Sequence, residues 1–146
     1  MVATRWIVVG MDFSACAIRA LEQALKLANE VGASVACVHA YEDTDGTSAL
    51  DDPAPALCKQ IEETIFACAA SRGKMRVEAI VRRGAPWEKL TNVATELGAE
   101  FIVVGADGQR GAGSERFLGT VVSRLATTSS RIVMVVPSRS ADRRPV

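Results

Sequence analysis

Five short apolar-rich runs, Trp6 to Val9, Ser34 to Ala40, Met75 to Val81, Phe101 to Val104 and Ile132 to Val136, alternate along the chain with stretches whose apolar residues recur at helical spacing. This alternation constrains the fold more than any other feature. A continuous apolar run such as Trp6-Ile7-Val8-Val9 suits a strand covered on both faces, the usual state in a parallel sheet. Parallel neighbours need long crossovers, and helices supply them. Because such crossovers are right-handed, the economical architecture is α/β, one doubly wound parallel sheet of five strands with four helices. Residues 1–146 read as a single domain, with a polar, Arg-rich tail over 138–146.

The helices carry their own punctuation. Ser14 is placed to cap a first helix with Ala17, Leu21, Ala24, Leu25 and Ala28 on one face, closed by Gly32. Residues 43–55, polar and interrupted by Gly46, Pro53 and Pro55, read as the longest connection and a mobile loop. Leu57, Ile61, Ile65, Cys68 and Ala69 mark a second helix stopped near Gly73. Gly84-Ala85-Pro86 turns into a third, with Trp87, Leu90, Ala94 and Leu97 inward and Gly98 at its end. A fourth covers roughly Gly119 to Thr128, and Pro137 ends the last strand.

Composition narrows the function classes. The 17 basic and 17 acidic residues cancel, which argues against a bulk electrostatic nucleic-acid binder. No segment approaches the length of a membrane span. The apolar run Trp6 to Met11 is too short for a signal peptide and leads into Asp12. Cys16, Cys37, Cys58 and Cys68 show no C-x-x-C spacing and sit among apolar neighbours, as buried free thiols in a reducing compartment do. A cytoplasmic protein is expected.

The chemistry concentrates after the fourth strand. Gly105, Gly108, Gly111, Gly113 and Gly119 fall between an apolar strand and a helix, a layout that presents backbone N–H groups to phosphate. No Gly-Lys-Ser/Thr follows, so this is not a Walker loop, and the spacing is not G-x-G-x-x-G. Thr120 and Val121, at a helix start, can offer free N–H groups to phosphate, aided by the helix dipole. Arg110 and Arg116 either add charge to that site or face solvent. Asp12, directly after the first strand, either accepts from ribose hydroxyls or a phosphate-bound metal, or caps the first helix beside Ser14. If strands one and four are neighbours, Gly10-Met11-Asp12 and Gly105 to Gly108 face each other across one crevice. His39, the lone histidine, lacks the partners of a catalytic one and reads as a satisfied histidine near a strand end. Asp43-Thr44-Asp45-Gly46 is no calcium loop, because Ala54 stands at loop position 12.

Together these segments resemble the universal stress protein family over essentially the whole chain. The matching pieces are Ile7 to Ser14, Cys37-Val38-His39-Ala40, Val81 to Pro86, Phe101 to Gly108, Gly119-Thr120-Val121 and Val133 to Pro137. The resemblance implies an adenine-nucleotide alpha-hydrolase-like fold with strand order 3-2-1-4-5, and a homodimer through the fifth strand. It further implies ATP as ligand, with Mg2+ or Mn2+. Gly10, Met11, Asp12 and Ala40 would hold the adenine and ribose, Ala40 through its backbone. Val104 and Gly105 would line the ribose and phosphate path, and Gly108, Gly119, Thr120 and Val121 would cradle the phosphates. The family's ATP-binding pattern is G-x2-G-x9-G-[ST]; here ten residues, 109–118, separate Gly108 from Gly119, and Gly111 and Gly113 are placed to absorb the extra one. Gly10 stands where a proline is common. The implied role is a nucleotide-responsive stress or regulatory module. Two alternatives stay open: an ATP-independent dimeric partner-binding protein, and a slow ATPase or autokinase acting on Ser114 or Thr120. No evident base, arginine finger or Walker lysine favours catalysis.

Overall fold

The computed structural model describes residues 4–42, 52–68, 74–106 and 119–138. Five strands, β1 (Trp6–Gly10), β2 (Ser34–Tyr41), β3 (Val77–Arg83), β4 (Phe101–Gly105) and β5 (Ile132–Val136), pair in parallel in the order β3-β2-β1-β4-β5. Among the described residues four helices connect them: α1 (Ala15–Val31), α2 (Ala54–Ala67), α3 (Pro86–Leu97) and α4 (Thr120–Thr128). This is the expected doubly wound α/β sheet.

Alternation along the strands sends successive side chains to opposite faces, and each face has its own core. Ile7, Val9, Val35, Cys37 and Val103 pack with Ala17, Leu21, Leu25, Ile61 and Ile65 of α1 and α2. Trp6, Val8, Ala36, Val38, Ile102 and Val104 pack with Leu90, Val93, Ala94 and Leu125 of α3 and α4. The chain winds outward from β1 to β3 with helices on one face, then crosses to β4 and β5 with helices on the other, as right-handed crossovers require. Each fully buried aliphatic side chain here contributes about 1.5–3 kcal/mol of transfer free energy.

The capping signals hold in detail. Ser14 Oγ accepts from the Ala17 N–H at 3.1 Å, and Gly32 and Gly98 end their helices in the left-handed region at φ 72° and 63°. Several boundaries differ from expectation, among them the end of α2 at Ala67, with Cys68 as its C-cap, before the stop expected near Gly73. Helix α2 begins at Ala54, inside the connection drawn over 43–55, because the Asp52 carboxylate accepts the Ala54 N–H at 3.0 Å and tolerates Pro55 in the first turn. Strand β3 starts and ends two residues later than its apolar run, since β2 continues to Tyr41 and pairs Ala40 with Arg82 and Tyr41 with Arg83. At a sheet edge both arginines stay exposed, and Arg82 meets Glu96 of α3 at 3.0 Å. Residues 43–51, Ala69, Gly73 and the tail from 139 lie outside the described residues.

Gly105 shows why a strand may need to end in glycine. A Cβ there would lie 2.8 Å from Cys16 Sγ and 2.9 Å from the Cys16 carbonyl carbon. The first turn of α1 therefore sits directly on the end of β4, and Cys16 Sγ donates to the Val136 carbonyl at 3.3 Å. Gly105→Ala must push α1 off the sheet. We expect a loss of about 1–3 kcal/mol in urea denaturation; an unchanged midpoint would contradict this packing.

Cys37 is fully buried between β1, β3 and the α1–α2 layer, and burial pushes its thiol up to about 12. The unfolded thiol ionises near its ordinary value of about 8.5. Above that pH the unfolded chain sheds this proton first, so Cys37 lowers stability as pH rises from about 8.5 toward 12 and has no such effect below. Cys37→Ala is expected to start less stable but to lose less stability between neutral and alkaline pH. Parallel declines in variant and parent would refute the assignment.

Candidate functional site

Strands β1 and β4 are direct neighbours, with Ile7, Val8 and Val9 opposite Phe101, Ile102 and Val103. The strand order reverses between them, since β1 leads outward to β2 and β4 leads outward to β5. Crevices beyond the strand C-termini at such a reversal are where open α/β sheets bind ligands. The condition set from sequence, that strands one and four be neighbours, is met, and the turn after β1 and the end of β4 with Ala106 lie at the same end of the sheet; Asp107 and Gly108 lie outside the described residues.

The residues picked from sequence fall around this point in distinct ways. A Cβ on Gly10 would approach Val104 Cγ1 and Leu90 Cδ1 at 3.1 Å, so Gly10 lets β1 end close against β4 and α3. Val104 is buried beneath it. Ala40 follows Ala36 and Val38 on the same α3-facing side of β2, two residues past the partner of Gly10. Met11 and Gly105 serve the opposite face. The Met11 side chain is buried in the α1 core, and the open side of Gly105 is filled by Cys16. Their side-chain positions are therefore taken up by packing against α1.

The turn after β1 is pinned from several directions. The Met11 N–H donates to the Val38 carbonyl at 2.7 Å, extending the β1–β2 ladder. Asp12 Oδ1 accepts the Ser14 N–H at 2.9 Å, so the carboxylate does take part in the helix entry beside Ser14. Between them Phe13 adopts φ 64°, the one non-glycine residue in the left-handed region among the described residues. That conformation costs on the order of 1–3 kcal/mol and persists only where surroundings over-determine it. His39 is among those surroundings: its Nδ1 lies 2.7 Å from the Met11 carbonyl oxygen and its ring 4.9 Å from that of Phe13. Sequence reading reached a satisfied histidine but missed its partner and the Phe13 strain, because neither a cross-strand side-chain bond nor a positive φ at phenylalanine has a local sequence signal.

At the other rim stands α4. Gly119 is its N-cap, with no side-chain cap of its own. Its N–H donates to the Ala106 carbonyl at 3.3 Å, and the Ala106 N–H in turn donates to Val136 at 2.8 Å. These two bonds bring the start of α4 to the end of β4. Helix geometry leaves the first N–H groups, those of Thr120, Val121 and Val122, without intrahelical acceptors and at the positive end of the dipole. Among the described residues, a Cβ on Gly119 would meet nothing nearer than the Ala106 carbonyl oxygen at 3.8 Å. Gly108, Arg110 and Arg116, with the rest of 107–118, lie outside the described residues. Among the described residues no group of three or more His, Cys, Asp or Glu gathers to hold a metal, and no helix is long and apolar enough to cross a membrane.

Known proteins share this architecture. UspA of Lactobacillus plantarum, a universal stress protein, superposes with TM-score 0.76 at 18% identity, over 93% of this chain and 99% of its own. A universal stress protein in complex with cAMP gives 0.72 at 28% identity, over 93% and 98%. The universal stress protein of Archaeoglobus fulgidus in complex with dAMP gives 0.68 at 21%, over 93% and 99%. Among curated protein sequences none matches significantly. The sequence model of the universal stress protein family matches residues 4–137, and the chain belongs to that family.

Proposed function

We propose that this chain binds an adenine nucleotide, ATP before others, in the crevice between the β1 turn and the start of α4. The observation that carries the reading is the junction of uncapped α4 with the β4 end through the Gly119–Ala106 bond, at the point where strand order reverses. It supplies free N–H donors for phosphate opposite a carboxylate-bearing turn. In this reading Gly10, Met11, Asp12 and the Ala40 backbone hold adenine and ribose, and Val104 and Gly105 line the path to the phosphates. Gly119, Thr120 and Val121 receive the phosphates, with Gly108 and Arg110 from the intervening loop. The cAMP and dAMP complexes of the family's solved members support an adenosine phosphate as ligand class. A divalent ion, Mg2+ or Mn2+, would arrive with the phosphates, since the described residues gather no all-protein cage for one. The role is a nucleotide-responsive regulatory module rather than a fast enzyme. All four cysteines are free, which fits a reducing, cytoplasmic setting.

Calorimetric titration of nucleotide-stripped protein with Mg-ATP, AMP and cAMP tests this. Saturable binding is expected, weakened about 100-fold or more by Gly119→Glu, which puts a carboxylate at the N-cap beside the N–H groups proposed to receive the phosphates. A folded parent protein that binds none of the three would overturn the proposal.

The same reading includes a homodimer through β5. Ile132 is 61% exposed, and Met134 and Val135 are exposed beside it on an edge strand. Such an apolar edge is usually covered. Sedimentation is expected to give a dimer that Ile132→Lys with Val135→Lys converts to a folded monomer. A monomeric parent would remove this part of the proposal.

A further inference from the structure

The contact between His39 and the β1 turn has a consequence for the crevice. The Met11 carbonyl is an acceptor, so the ring nitrogen 2.7 Å away must be the protonated one. Neutral imidazole then carries its proton on Nδ1, the tautomer less favoured in water, with Nε2 left as an acceptor. The bond joins β2 to the residue preceding Asp12, and it fixes the orientation of the peptide that leads into Phe13. Phe13 in turn lies against the imidazole with ring planes inclined at 49°. Its N–H reaches Met11 Sδ at 3.4 Å, and Ser14 then closes onto Asp12. The imidazole therefore touches both sides of Asp12, as hydrogen-bond donor to the Met11 carbonyl and as ring support for Phe13.

We propose that His39 is a positioning residue: its Nδ1–H and its ring hold the Met11–Ser14 turn in the conformation that presents Asp12 and the adjoining backbone to the nucleotide. The functional half of this inference rests on the adenine-nucleotide reading; the structural half stands without it. Hydrogen bonding, rather than bulk, is what the turn needs. Asparagine places an amide N–H close to where Nδ1–H stands, whereas leucine fills similar space with no donor.

Three measurements on the full chain separate the cases. A long-range nitrogen–proton NMR spectrum of the parent protein is expected to show neutral His39 protonated at Nδ1. Hydrogen exchange at the Phe13 and Ser14 amides is expected to speed up about tenfold in His39→Leu and to stay near the parent rate in His39→Asn, the size of one lost hydrogen bond. Mg-ATP affinity is expected to fall about tenfold in His39→Leu and to be retained in His39→Asn. An Nε2-protonated ring overturns the proposal even if no variant folds. So does a folded His39→Leu with parental exchange and affinity, or a His39→Asn that loses as much as leucine. If the parent binds none of Mg-ATP, AMP and cAMP, the nucleotide reading fails separately, and tautomer and exchange rates still decide whether His39 holds the turn.

Discussion

The parallel pairing of β1 with β4 is the interaction on which the rest depends. It joins the first strand to one that enters the chain some ninety residues later, and among the described strands it is the seam where the winding changes direction. Both faces of that seam are dry, with Ile7, Val8, Val9, Ile102 and Val103 all essentially inaccessible to water. Once the two strands lie side by side, their C-terminal segments must share a crevice. The helices on opposite faces then have to diverge around it. The functional geometry follows from strand order rather than from a dedicated scaffold.

Glycines at this seam do different work at each position. Gly10 lies close against Val104 and Leu90, Gly105 lets α1 rest on β4, and Gly119 is the N-cap of α4. A substitution at Gly105 therefore reads out packing, whereas the Cβ position at Gly119 has no described neighbour nearer than 3.8 Å. The turn after β1 adds a second kind of constraint. A left-handed Phe13 is kept in place by Ser14, Asp12, Met11 and His39 acting together, so local strain is balanced by bonds that converge on the rim of the crevice.

Much of this was legible in the residues. Continuous runs such as Trp6 to Val9 and Phe101 to Val104 could only be two-sided strands, and Ser14, Gly32, Pro86 and Gly98 marked helix ends where the chain does turn. Strand order and the family came from motif order along the chain rather than from periodicity. The start of α2 was misplaced because the Asp52 side chain, not hydrophobic spacing, begins that helix. The shift of β3 was hidden because a ladder is set by the partner strand, here the extension of β2 to Tyr41. Contacts between residues far apart in sequence, Cys16 with Gly105 and His39 with Met11, left no local trace at all.

The central claim is that nucleotide sits between the β1 turn and the α4 amides. Amide chemical-shift mapping of the isotope-labelled protein during addition of Mg-ATP tests it most directly. The account predicts the largest shifts at Met11, Asp12, Ala40, Thr120, Val121 and Val122. Shifts confined to α2 and β3, or none at saturating nucleotide, would contradict it.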